Sequence, residues 1–295
     1  MGLCHVCNLA VKLPRFQNKN YFKTYINTCI AVCMNLFVIC LSTSISNAQS
    51  INNAPPQTQS IVSALEYVDW KDIEKGLETL SVSTPLGIRL HAFRISPEHF
   101  VFSIAQQAKI NGEYVEEYAT RLDAVIAVNG GFFTKHGDGS LSPVGLLIDD
   151  GVQYTRAWAK KGGFLIAGVD GIDILPSQEP LFGELKEVLQ SRPVILEKGS
   201  KWALNRNLRM IKNRTLVCVL KDKKVVLLTF SGLGLSLFEA GWVLRSQEWG
   251  GWFNCDSAIA LDGGGSTQLF VKGHPEFNVY GDTAVQNAFV IKRRK

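Results

Sequence analysis

Cysteine is scarce in the body of this chain, and acid is missing from its beginning. Of seven cysteines in 295 residues, Cys4, Cys7, Cys29, Cys33 and Cys40 lie in the first 48, leaving Cys218 and Cys255 beyond them. An even number in an exported chain is expected to pair, so a Cys218–Cys255 disulfide is predicted. A catalytic thiol is the competing reading, but none of the five histidines stands in a recognisable partner motif. A single sign of charge is also lacking. The net charge of +5 comes largely from Lys12, Arg15, Lys19 and Lys23 in an acid-free start; without them, 27 basic residues face 26 acidic ones. That balance gives no basic face for nucleic acid, and Lys292 to Lys295 read as a solvated terminus. No phosphate-loop lysine follows a glycine run, and no GxGxxG opens a helix. GxSxG and HExxH are missing too, and His91, His99, His136 and His274 are scattered, which argues against a Ser triad and a zinc site.

What is present begins with a leader. Residues 1–48 run from a basic stretch through the apolar YINTCIAVCMNLFVICL to small residues at Ser46-Asn47-Ala48. This is the pattern of a signal peptide, with a retained signal anchor as the alternative. Export to the periplasm or the extracellular space follows, and membrane contact only if the leader stays. Residues 49–60, polar and Pro-rich, read as a linker. Apolar positions at Ile61, Leu65, Val68, Ile73, Leu77 and Leu80 predict a helix over 61–80. Beyond Pro85 short apolar bursts predict strands, with hairpins across Asp149-Asp150-Gly151, Asp170-Gly171 and Lys221–Lys224. Helices are expected at EEYATRL, LFGELKEVLQ and LSLFEAGWVLRSQ. The expected fold is α+β, a strand-rich single domain over 61–295 with mixed sheets and a few packed helices.

Two stretches share a design, AVIAVNGGFF and AIALDGGGST. Each is an apolar strand with a polar side chain at its end, followed by glycines: Asn129, Gly130, Gly131, and Asp262, Gly263, Gly264, Gly265. Consecutive glycines can point backbone N–H groups into one anion-binding hollow, and Ser266 and Thr267 can add hydroxyls. The bland alternative is a pair of tight turns. Trp242, Trp249 and Trp252 fall near one another; one could stack on a sugar face, while Trp242 reads as core.

In order along the chain, VNGGFF, SPVGLLIDDG, KGGFLI, RPVILEKG, NRTLVCV, SLFEAGWVL and ALDGGGSTQLF resemble the phosphodiester glycosidase domain family. That family includes the uncovering enzyme of lysosomal mannose-6-phosphate tagging and secreted bacterial proteins. The resemblance runs from about residue 84 to the end. It implies a hydrolase that cleaves a sugar-1-phosphodiester at the anomeric carbon, releasing free sugar and a phosphomonoester. A sugar-phosphate or phosphoglycan is the implied substrate. Arg214 is then the candidate for the departing phosphate, because its planar fork matches two phosphate oxygens. Asp262 is the candidate carboxylate for the sugar carbon, with Glu239 as the second and Asn129 as a hydrogen-bonding partner. No cofactor is called for, and a divalent metal beside Asp262 stays open. The other function class is a non-catalytic phosphoglycan-binding envelope protein built on the same loops.

Overall fold

The computed structural model describes residues 54–158, 162–204 and 208–295. The leader lies outside them. In chain order the elements are α1 (Pro56–Leu65), β1 (Lys71–Glu74), β2 (Leu77–Ser83), β3 (Ile88–Ile95), β4 (Phe100–Gln106), α2 (Val115–Leu122), β5 (Ile126–Asn129), β6 (Phe133–Lys135) and β7 (Leu141–Pro143). There follow β8 (Leu147–Asp149), β9 (Val152–Thr155), β10 (Gly163–Gly168), β11 (Gly171–Pro176), β12 (Glu187–Ser191), β13 (Val194–Glu197) and β14 (Lys201–Trp202). The chain ends with β15 (Lys212–Leu220), β16 (Val225–Leu235), α3 (Leu237–Leu244), β17 (Cys255–Ala260), β18 (Leu269–Val271) and β19 (Asn287–Arg293).

This is an α+β fold. An eight-stranded sheet runs β1-β2-β3-β16-β15-β17-β13-β14, a five-stranded one β11-β10-β12-β8-β9, and a four-stranded one β18-β5-β19-β4. Every pairing among the described residues is antiparallel, so the mixture lies in strand order and not in direction. Strand periodicity divides the core. On β15, Val217 and Val219 point inward to meet Phe102, Val128 and Phe289 of the four-stranded sheet. Leu216 and Cys218, one residue out of phase, join Ile61 and Leu65 of α1 and Val243 of α3 on the opposite face. Small residues Ala105, Ala127 and Ala288 face α2, which lets Tyr118 and Ala119 sit close to the sheet.

Two helix expectations fail. The helix begins at Pro56, within the stretch read as linker, and ends at Leu65; Leu77 and Leu80 lie instead on β2. Gly76, at φ +80°, turns the β1–β2 hairpin, and a Cβ there would lie 2.4 Å from His99. LFGELKEVLQ is not a helix either: its apolar Val188 and Leu189 are buried on β12, where pairing to β10 overrides local propensity.

The disulfide forms between Cys218 of β15 and Cys255 of β17, with Cα atoms 5.8 Å apart. It closes a loop of sequence separation 37, worth about 3–4 kcal/mol by loop-closure entropy.

Strand β4 edges its sheet, and its outward N–H groups need acceptors. Two carboxylates from the five-stranded sheet supply them: Ile104 N–H donates to Glu187 Oε2 at 2.7 Å and Gln106 N–H to Asp149 Oδ2 at 2.7 Å. Burial pushes the Glu187 carboxyl up to about 7 and raises that of Asp149 as well. The folded chain therefore holds the Glu187 proton more tightly than the unfolded chain does. Stability from this group is fully present below pH 4.5 and is lost as pH rises through about 7. Glu187→Gln stays neutral while still offering a carbonyl to Ile104. We expect it to raise unfolding free energy by about 1 kcal/mol at pH 8, discounted for partial solvent screening, and by much less at pH 5. Urea denaturation at the two pH values checks this; an equal effect at both would refute it.

Candidate active site

The two glycine loops meet. The Asp262 N–H donates to Gly130 O at 3.0 Å, and Asn129 Nδ2 donates to Asp262 O at 2.8 Å. The Leu261 N–H reaches Thr215 O on β15 at 2.9 Å, so the ends of β5 and β17 and the start of β15 form one junction. Asn129 is its clamp. The side chain is fully buried, and Oδ1 accepts from the Thr215 hydroxyl at 2.7 Å and the Gln268 N–H at 3.1 Å. Its amide is spent on protein groups, so Asn129 positions the Asp262 loop and does not reach into the cleft, contrary to expectation.

The NGG loop likewise offers no anion nest. Gly130 N–H donates to Asn287 O and Gly131 N–H to Asn287 Oδ1, at 2.9 and 2.7 Å. Gly130 is glycine because a Cβ would lie 2.0 Å from Asn287 Oδ1. In the second loop, Gly263 N–H closes back on Asp262 Oδ1 at 2.8 Å. A Cβ on Gly263 would lie 2.8 Å from Asn213 O and 3.6 Å from Arg214 Nη1. Glycine here brings the start of β15, with its guanidinium, against the Asp262 loop. Gly264, at φ +66°, then turns the chain. Ser266 donates to the Asp262 carboxylate, while the Thr267 hydroxyl is buried without a partner among the described residues.

Beside this junction lies a cleft of 310 Å³, lined by Phe132, Arg192, Lys212, Arg214, Asp262 and Gly263 among others, within the size range of small-molecule sites. Of the loop residues expected to bind phosphate, only Gly263 lines it; Gly130, Gly131, Gly264, Gly265, Ser266 and Thr267 do not. A larger cavity of 520 Å³ beside α2 holds none of the candidate site residues.

Arg214 is buried. Its Nε donates to Leu235 O at 3.0 Å, and Nη2 donates to Met210 O. Nη1, the nitrogen nearest Gly263, donates to no protein group among the described residues, and no carboxylate pairs with the guanidinium there. Burial lowers its pKa without threatening its charge. Arg192, Arg209 and Lys212 share the lining, and Arg192 stacks on Trp158 at 4.1 Å and Phe132 at 5.5 Å. Four cations thus share the lining with one carboxylate. Burial raises the Asp262 carboxyl above the usual range, while the Ser266 hydroxyl, the Gly263 N–H and the Lys212 charge pull it back.

Glu239 does not line the cleft. It is the third residue of α3, and it closes a capping box: Oε2 accepts from the Ser236 N–H at 2.9 Å while Ser236 Oγ accepts from the Glu239 N–H at 3.2 Å. Gln57 of α1, with its amide nitrogen turned toward α3, also donates to this carboxylate, and the Thr58 hydroxyl donates to Glu239 O at 3.1 Å. The second catalytic carboxylate expected from sequence is therefore a structural cap.

Sequence reasoning missed Arg192, Arg209 and Lys212 as cleft cations. Arg192 stood in the quoted RPVILEKG and Lys212 one residue before NRTLVCV, but single basic residues at strand entries carry no signal without the fold. No three His, Cys, Asp or Glu side chains converge among the described residues.

Residues 123–292, more than half of the chain, match the family described as phosphodiester glycosidase. This chain belongs to that family. Among solved structures, a hypothetical protein from Synechocystis aligns at TM-score 0.56 and 15% identity, covering 82% of this chain; the chain spans 64% of that protein's length. The zebrafish N-acetylglucosamine-1-phosphodiester alpha-N-acetylglucosaminidase catalytic domain aligns at TM-score 0.56 and 19% identity, covering 83% of this chain and 93% of that one. A Burkholderia pseudomallei protein described as exported aligns at 0.50 and 14%, over 73% and 74%. At these identities the structural likenesses carry the phosphodiester glycosidase fold alone. No curated protein matches the chain.

Proposed function

We propose that this phosphodiester glycosidase is an exported hydrolase that cleaves a sugar-1-phosphodiester at the anomeric carbon. The observation that carries the reading is the Arg214 guanidinium, without a carboxylate partner, held against Gly263 in a largely apolar cleft whose charged lining is Asp262 and four cations. Breaking the bond between the anomeric carbon and oxygen leaves its electron pair on the phosphate, which gains negative charge. Arg214, with Arg192 and Lys212 of the same lining, would meet that charge in a partly dry setting, where fixed donors contribute most. Water supplies the new bond to carbon, and Asp262 accepts its proton while its charge favours the oxocarbenium-like transition state. Phosphate leaves readily without a proton, so one carboxylate suffices where ordinary glycosides need two. Support for export comes from the leader sequence, the disulfide, and the description of the Burkholderia protein as exported.

The test is a panel of sugar-1-phosphodiesters, with and without chelator, read as free reducing sugar. Release of sugar and phosphomonoester is expected. Saturable binding of the panel with no product would instead support the non-catalytic phosphoglycan-binding reading.

A further inference from the structure

The tryptophans singled out in the sequence lie outside the cleft just described, and two of them, Trp249 and Trp252, line a second one of 630 Å³. Its lining includes Trp202, Arg245, Glu248, Trp249, Trp252 and Asn254. Trp249 is 62% exposed, an uncommon state for the side chain with most to gain from burial. It is not there through looseness. The segment after α3 is tied back by Gly250 N–H to Gln247 O, Gly251 N–H to Ser246 O, Trp252 N–H to Val243 O and Asn254 N–H to Arg245 O, all between 2.9 and 3.1 Å. The indole is thus displayed on a fixed turn.

Arg245 sits among three indoles, 5.3 Å from Trp202, 4.9 Å from Trp242 and 5.1 Å from Trp249, with no carboxylate partner among the described residues. Trp202 extends this row toward the first cleft. Its ring lies 5.3 Å from Phe238 in an edge-to-face contact, and Phe238 lines the cleft that holds Arg214 and Asp262. A row of rings, Phe238 and Trp202 and then, across the Arg245 guanidinium, Trp249, therefore leads from the first cleft to the second.

We propose that this tryptophan cleft is a second carbohydrate subsite, which holds sugar rings of a polymeric, phosphate-linked glycan whose scissile bond lies in the first cleft. The apolar C–H face of a sugar ring complements the negative face of an indole. Glu248 and Asn254 are placed to pair with hydroxyls, and Arg245 and Lys221 match phosphates farther along the polymer. The inference rests on the hydrolase reading and adds the substrate's length: a chain and not a single sugar phosphate.

The decisive comparison is Trp249→Ala against the parent protein on two substrates, a methyl sugar-1-phosphodiester and a phosphate-linked hexose oligomer of several repeats. For the oligomer, KM is expected to rise roughly three- to tenfold with kcat unchanged, the size of a lost aromatic contact. The methyl substrate should be indifferent, and Trp249→Phe should restore the oligomer KM. Equal oligomer KM in parent and Trp249→Ala would overturn the subsite while leaving the hydrolase reading intact. Calorimetry with the oligomer in an Asp262→Asn background separates the two the other way. Weaker binding on adding Trp249→Ala supports the subsite even if no substrate is turned over, and unchanged binding refutes it.

Discussion

Asp262→Asn is expected to lower kcat on a sugar-1-phosphodiester by about 10²- to 10⁴-fold while leaving the fold intact. The substitution preserves shape. An amide oxygen can still accept from the Gly263 N–H and from Ser266, and the Asp262 backbone bonds to Gly130 and Asn129 do not involve the side chain. What vanishes is the one negative charge of the cleft and its capacity to take a proton. Binding should not weaken and is expected to tighten, since a carboxylate beside a phosphate repels it. A variant with lower kcat and equal or lower KM is the signature of a group that works in the transition state. The pH profile gives an independent readout. Because burial raises the Asp262 pKa, the acid limb of kcat/KM should fall above the ordinary aspartate range, and the limb should disappear in the amide variant. Full activity in Asp262→Asn would remove this residue from the chemistry.

Much of that junction could be read before the fold was seen. Glycines after an apolar strand announce close backbone approach, and the approach occurs: Gly130 against Asn287, Gly263 against Asn213 and Arg214. For three of the glycines the purpose differs from the one expected. The N–H groups of Gly130 and Gly131, which sequence reasoning aimed at a ligand, are instead absorbed by Asn287, whose proximity depends on a strand far along the chain, and that of Gly263 by the neighbouring Asp262 carboxylate. Glu239 carries a different lesson. Ser236 and Glu239 spell the Ser-x-x-Glu pattern of a capping box, a local signal sufficient to explain the residue without catalysis. The spurious helix over 61–80 came from real apolar positions whose spacing of four, Ile73 to Leu77, spans a hairpin turn. Period alone cannot see the turn; Lys75-Gly76 could. Charges that define the cleft were the least legible part, because Arg192, Lys212 and Arg214 converge only through the pairing of β13 and β15 with β17.

Arg214→Lys is the sharper probe of the anion side, and it should lower kcat/KM by about 10²- to 10³-fold, the usual cost of removing one transition-state donor. Lysine keeps the charge and much of the stem, so long-range attraction for the substrate survives. It cannot keep the geometry. In the native site Nε and Nη2 are committed to Leu235 O and Met210 O, and those bonds hold the plane so that Nη1 faces the Asp262 loop. A single ammonium cannot satisfy both carbonyls and also reach the ligand. Arg214→Ala would remove charge and both buried bonds together, and a loss of activity there would not separate chemistry from folding. With lysine the prediction can be made specific to the leaving group. The defect should shrink as the phosphodiester is replaced by substrates whose departing anion is intrinsically more stable, since less charge then needs help. A defect of constant size across that series would mean that Arg214 only anchors the substrate, and a variant with parent-like kcat/KM would show that the guanidinium plays no part.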